Sequence, residues 1–141
     1  MHSVKTKWVN KMAFDSQVDY HTIRIDTGGS LGDDSGPSPK KLLLSSLAGC
    51  TGMDVVSLLN KMRVFFIGFE MDIEADLTTE HPRVYSEIRL IYRFFGNHLN
   101  KEKVEKAVRL SQEKYCGVSA MLKKNSPLKY SIEYVEKMAI A

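Results

Sequence analysis

Residues 42–60 carry no charged side chain except Asp54. A run this apolar has two homes: a bilayer, which takes about 20 such residues, or a protein interior that covers it on several sides. Ser45, Ser46, Thr51, Gly52, Asp54 and Ser57 place polar or small groups all along it, and a carboxylate near mid-span is costly in lipid. The segment therefore reads as a buried core helix, with no membrane partner. Ser38-Pro39 marks its start, since a Ser hydroxyl accepts from a free backbone donor and Pro loses no bond at the first helical position. The helix should run to about residue 62 or 63. Lys40 and Lys41 in its first turn oppose the helix dipole. A helix so apolar in a chain of 141 residues calls for cover from a second copy, which predicts a homodimer.

The rest of the chain reads mostly as strands. Residues 4–9, 12–14 and 18–25 form a predicted N-terminal β-meander with reversals at Asn10-Lys11 and around residues 15–17. Residues 27–37, rich in Gly, Asp and Ser, read as a plain flexible surface loop. Gly29-Ser30-Leu31-Gly32 matches no phosphate-binding fingerprint, and Asp33 and Asp34 repel phosphate. Ile67, Phe69, Met71, Ile73, Ala75 and Leu77 alternate with polar residues or Gly, so residues 67–78 are a strand. Beyond Glu80-His81-Pro82-Arg83, residues Ile88, Leu90, Tyr92 and Phe94 give its hairpin partner. Asn100 caps a helix that carries Val104, Ala107, Val108 and Ser111 at helical spacing; Gly117 interrupts it, and residues 118–123 add a further turn or two. Leu128, Tyr130, Ile132 and Tyr134 close the chain as a strand. The order predicts a single α+β domain over residues 1–141.

The 20 Lys plus Arg against 17 Asp plus Glu leave a formal charge of +3. That charge is spread thinly along the chain, which argues against a nucleic-acid partner. The two cysteines, Cys50 and Cys116, are too few for a secreted disulfide scaffold. Residues 1–14 alternate Lys with apolar side chains and lack the apolar block of a secretory signal, so the expected compartment is the cytoplasm.

No cofactor and no metal are expected. The histidines at 2, 21, 81 and 98 lie far apart, without metal-ligand spacing, and no Ser lies in a Gly-x-Ser-x-Gly context. The cysteines remain as candidates. Cys50 sits among Ala48, Gly49, Thr51 and Gly52, small residues that leave room beside its sulfur. Cys116 falls where one helix gives way to the next, near backbone N–H groups that favour a thiolate. Against this stands the ordinary role of a free Cys as a small buried hydrophobe.

Ser38-Pro39 through Leu42-Leu43-Leu44, then Leu47-Ala48-Gly49-Cys50-Thr51, Asp54-Val55-Val56, Leu110-Ser111 and Glu113-Lys114-Tyr115-Cys116 resemble the OsmC/Ohr family of thiol peroxidases, on its OsmC-like side. The resemblance covers nearly the whole chain. It implies an intertwined homodimer with a two-cysteine site at each end of the subunit interface. Cys50 would attack an organic hydroperoxide and Cys116 would resolve the resulting sulfenic acid to a disulfide. A dithiol, in parts of the family a lipoylated protein, would reset the pair, and apolar interface residues would receive the organic tail.

Family peroxidases also activate the attacking sulfur with an Arg from the N-terminal strands, held by a Glu near the start of the central helix. This chain has Ala13 within Met12-Ala13-Phe14, and Lys40 and Lys41 at the helix start. Lys40 is roughly 15 Å along the axis from Cys50 at 1.5 Å per residue, so its help would be indirect. Arg24, on an N-terminal strand, and Glu113, three residues before Cys116, are candidate supporting residues, each with a plain surface role as the alternative. Asp54 lies at i+4 from Cys50 on one helix face, where an unpaired carboxylate raises a thiol pKa. Two alternatives to a peroxidase stay open: a non-catalytic dimer that binds a small apolar ligand, and a redox sensor that oxidises once.

Overall fold

The structure, a computed structural model, describes residues 1–136. The chain divides into two compact units, one of Met1–Ser45 and one that begins at Ser46.

The first unit is an antiparallel meander of β1 (Lys5–Asn10), β2 (Ala13–Val18) and β3 (His21–Ile25). The first reversal is at Asn10-Lys11 as expected, with Lys11 at φ 44° and its carbonyl accepting from Trp8 Nε1 at 2.9 Å. The second reversal is not at residues 15–17: β2 continues to Val18, and the chain turns at Asp19, φ 53°. Asp15, Ser16 and Gln17 look like turn residues, yet each has a partner on a neighbouring strand. Arg24 grips Asp15 through two nitrogens, Thr6 Oγ1 donates to Ser16 Oγ at 3.0 Å, and Thr22 Oγ1 donates to Gln17 Oε1 at 2.9 Å. Paired polar residues of this kind stabilise a strand where composition alone suggests a turn.

The Gly-rich loop is also more ordered than its composition implies. Asp26, 2% exposed, accepts from Thr27 N at 2.7 Å, Ser35 N at 3.0 Å and Ser35 Oγ at 2.6 Å. Two glycines are needed for the close approach: a Cβ on Gly32 would lie 2.1 Å from Thr27 O, and one on Gly36 would lie 2.3 Å from Arg24 O. Gly29-Ser30-Leu31-Gly32 thus closes a carboxylate-centred loop.

The second unit is a three-stranded sheet ordered β4 (Gly68–Leu77), β5 (Tyr85–Gly96), β6 (Leu128–Glu136). β4 and β5 form the expected hairpin; β6 runs parallel to β5, which requires the crossover that the intervening helices supply. The period-two pattern sorts the sheet faces as read. Ile88, Leu90, Tyr92 and Phe94 are at most 1% exposed. On the opposite face Arg93 binds Asp72 at 2.9 Å, Glu133 at 2.9 Å and Glu70 at 3.4 Å, across all three strands.

The central helix α1 is Pro39–Lys61, within two residues of the expected end. It is long and apolar enough to cross a membrane by length and composition. In the second unit, though, Leu47, Thr51, Val55 and Leu59 form a fully buried stripe at i+4 spacing. Gly52 lets α1 approach the sheet, since a Cβ there would sit 2.7 Å from Met71 Cε. The opposite edge of α1 is open, with Met53 77% exposed. Asn100 caps α2 (Lys101–Leu110), its Oδ1 accepting from Lys103 N at 3.1 Å. Gly117 does not interrupt the helix pair. A single π turn, Ser111–Tyr115, follows α2, Cys116 itself is extended at φ −76°, ψ 102°, and Gly117 opens α3 (Gly117–Lys123). Cys116 takes the cap position, and a cap residue leaves helical backbone geometry.

The Asp26 cluster has a pH signature. Ser35 and the backbone donors around it lower the Asp26 carboxyl from 3.8 to about 2. A depressed carboxyl stabilises the fold above its unfolded pKa, and the contribution is lost as pH falls through the folded value. Asp26→Asn should therefore be less stable than the wild type near neutrality. The gap should close between pH 3.8 and about 2, as read by urea unfolding followed by circular dichroism across that range.

Candidate functional site

The second unit brings three side chains into one cluster: the sulfurs of Cys50 and Cys116 and a carboxylate oxygen of Asp54 lie within 4.8 Å of one another. Cys50 and Asp54 come from adjacent turns of one face of α1. Cys116 reaches them from the α3 cap. Both thiols are free; Cys50 is half-buried, whereas Cys116 is 3% exposed. Cys116 Sγ accepts from Ser119 N at 3.3 Å, so the backbone donor expected from the sequence is present. Burial is nevertheless the larger effect and pushes the Cys116 thiol up, with Cys50 beside it adding to the rise and Ser119 opposing it.

Behind the thiols runs a buried chain of hydrogen bonds that sequence reasoning did not single out. Gln112 Nε2 lies 2.8 Å from Tyr92 Oη, Tyr92 Oη 2.7 Å from Thr51 Oγ1, Thr51 Oγ1 2.7 Å from Ser111 Oγ, and Ser111 Oγ 3.0 Å from Asp54 Oδ2. Its two ends determine every proton between them. Ser111 Oγ donates to Asp54 Oδ2; each hydroxyl has one proton, so Thr51 donates to Ser111 and Tyr92 to Thr51. The Gln112 amide, which only donates through Nε2, supplies the first bond. All donors thus point toward Asp54, and aligned bonds of this kind polarise one another. Burial pushes the Tyr92 hydroxyl up to about 12, which keeps it a donor at neutral pH. The sequence signal was present: Tyr92 and Ser111 are polar residues on otherwise apolar faces, and a buried polar group needs a partner.

Asp54 is therefore not the unpaired carboxylate that its position suggested, because Ser111 satisfies one of its oxygens. Arg24 belongs to the first unit, where Asp15 and Ser35 Oγ occupy its guanidinium. Glu113 is exposed on the π turn. Among the described residues of the second unit, no Arg or Lys side chain hydrogen-bonds either sulfur or pairs with Asp54.

Two openings lie along α1, and the smaller of them is lined by Asp54 of the cluster. A groove of about 600 Å³ runs along α1 past Gly49, Gly52, Met53 and Val56 to Phe69 and Met71 of β4. A smaller cavity of about 160 Å³ is lined by Asp54, Ser57, Leu58, Lys61 and Tyr115.

Residues 32–131 match the family model of the OsmC-like proteins. Over 132 residues the chain is 36% identical to protein YhfA of Escherichia coli strain K12, covering 93% of this chain and 96% of that protein. The solved structure of a hypothetical protein from Aquifex aeolicus VF5 superposes with a TM-score of 0.84 at 30% identity, covering 99% of this chain and 98% of the other. An organic hydroperoxide resistance protein OsmC from Legionella pneumophila shares the fold at a TM-score of 0.70 and 16% identity, covering 94% of this chain and 96% of that one.

The directed chain makes a quantitative prediction. Tyr92→Phe removes the donor to Thr51 and the acceptor of Gln112 while leaving the packing volume nearly unchanged. The loss should be about 1–3 kcal/mol, the cost of leaving buried polar groups unsatisfied, measured as a lower urea midpoint with an unchanged slope.

Proposed function

The chain belongs to the OsmC-like protein family, and we propose that it reduces organic hydroperoxides with Cys50 as the attacking thiolate and Cys116 as the resolving thiol. The observation that carries this reading is the approach of the two sulfurs to within 4.8 Å, from elements far apart in sequence. The difference in burial supports the order of roles: a peroxide reaches half-buried Cys50 before it reaches enclosed Cys116.

In the first step the Cys50 thiolate attacks the distal peroxide oxygen. The O–O bond breaks, the alkoxide takes a proton and leaves as the alcohol, and Cys50 becomes a sulfenic acid. The Cys116 sulfur then attacks Cys50, the S–O bond breaks, water leaves, and a disulfide of about 2.05 Å forms. A dithiol returns two electrons and two protons by exchange; a lipoylated protein is a reductant of this type.

The working form we propose is a homodimer in the cytoplasm. The open edge of α1, where Met53 is 77% exposed, is the surface a second copy would cover. The apolar groove beside Gly49 and Met71 would then become an enclosed chamber for the alkyl group, favouring organic over hydrogen peroxide. Non-catalytic binding of a small apolar ligand is the second reading, favoured by the absence of a hydrogen-bonded Arg or Lys at either sulfur among the described residues.

Cys50→Ser should abolish turnover of cumene hydroperoxide. Cys116→Ser should still oxidise once and accumulate a sulfenic acid that dimedone traps, seen by intact mass. Thiols that persist in the wild type after peroxide addition would establish the ligand-binding reading instead. Sedimentation should show a dimer for the wild type and a folded monomer for Met53→Asp, since a carboxylate buried at an apolar interface has no partner.

A further inference from the structure

Two thiols and a carboxylate gathered within 4.8 Å form more than a redox pair. We propose that the reduced site binds a zinc ion through Cys50 Sγ, Cys116 Sγ and a carboxylate oxygen of Asp54. Zinc takes thiolate ligands at about 2.3 Å and carboxylate oxygens at about 2.0–2.2 Å in a tetrahedron. That geometry places two sulfurs about 3.8 Å apart and each sulfur about 3.5 Å from the oxygen, so a cluster whose atoms lie within 4.8 Å of one another needs to contract by at most about 1.3 Å. Three protein ligands with one position left for water is the composition of an open zinc site. The cavity lined by Asp54, Ser57 and Tyr115 supplies access for that water.

The electrostatics point the same way. Among the described residues of the second unit, no Arg or Lys pairs with Asp54 or hydrogen-bonds the sulfurs. A divalent cation supplies positive charge to such a ligand set and deprotonates a coordinating thiol outright. On binding, each thiol yields its proton to solvent and forms one metal–sulfur bond, with no change of oxidation state.

The support behind the ligands is also that of a metal site. Ligating carboxylates are oriented by outer hydrogen bonds, and here the chain from Gln112 through Tyr92, Thr51 and Ser111 ends on Asp54 Oδ2. Ser119 N holds Cys116 Sγ in the same way. Sequence spacing hid the set, since the ligands are a C-x-x-x-D pair on one helix and a Cys beyond the hairpin.

The consequence is mutual exclusion. Disulfide formation consumes both sulfur ligands, so peroxide expels the ion and the ion shields the thiols. Binding does not require turnover, so the two readings fail separately: peroxidase assays without added metal test one, and metal titrations without peroxide test the other.

The test uses reduced, metal-free protein titrated with cobalt(II) and then with zinc against a chromophoric chelator. One cobalt per chain should give thiolate-to-metal charge-transfer absorption in the near ultraviolet, and zinc should bleach it. Asp54→Asn should weaken zinc binding by at least about 100-fold and Ser111→Ala by about tenfold, since loss of an outer-shell partner alone costs 10–100-fold. Diamide-oxidised wild type, which needs no substitution and so no refolding, should lose the site. The proposal is overturned by missing charge-transfer bands, by equal zinc affinity in reduced and oxidised wild type, or by unchanged affinity in Asp54→Asn.

Discussion

Everything at the site depends on a buried row of hydrogen bonds whose direction is set by its ends. Thr51 belongs to α1, Tyr92 to β5, and Ser111 and Gln112 to the π turn after α2. Four hydroxyl and amide groups cannot be enclosed without partners, so burying any one of these elements commits the others to a single register. Asp54 ends the row at the surface of the cluster. The bonds that tie helix to sheet are therefore also the ones that aim the carboxylate.

The π turn matters for the same reason. An α-helix carried straight on from Leu110 would rotate the residues beyond it onto other faces, whereas the wider turn holds both Ser111 and Gln112 inward, at 0% and 5% exposure. It then leaves Cys116 in extended geometry as the cap of α3. Such turns occur mostly where a function needs a side chain out of helical register. The result is a sulfur that is enclosed, held by a backbone donor and close to Cys50.

Legibility followed the range of the forces involved. Alternation along residues 67–78 and the buried positions of β5 came directly from period-two patterning, because a one-residue slip would expose the whole apolar face. The start of α1 at Pro39 and the Asn100 cap were equally plain, being local backbone chemistry. The reversal after β2 was misplaced since Asp15, Ser16 and Gln17 find partners on neighbouring strands, which a window along the chain does not contain. The loop over residues 27–37 looked loose for a similar reason: the carboxylate that closes it, Asp26, lies just outside the Gly-rich stretch.

Legible along the chain alone were the α+β order of elements, the apolar helix and its start at Pro39, the two cysteines as the chemical groups of interest, and the resemblance to OsmC-like proteins. The first three rest on composition, periodicity and neighbouring residues, the resemblance on the motifs around the two cysteines. Contacts across the fold place Asp54 with both sulfurs, pair it with Ser111, set Thr51, Tyr92 and Gln112 in one row, and hold Arg24 on Asp15. Each of these is a contact between elements far apart in the chain. Each is favoured because an enclosed polar group gains from finding a partner once the apolar faces have closed.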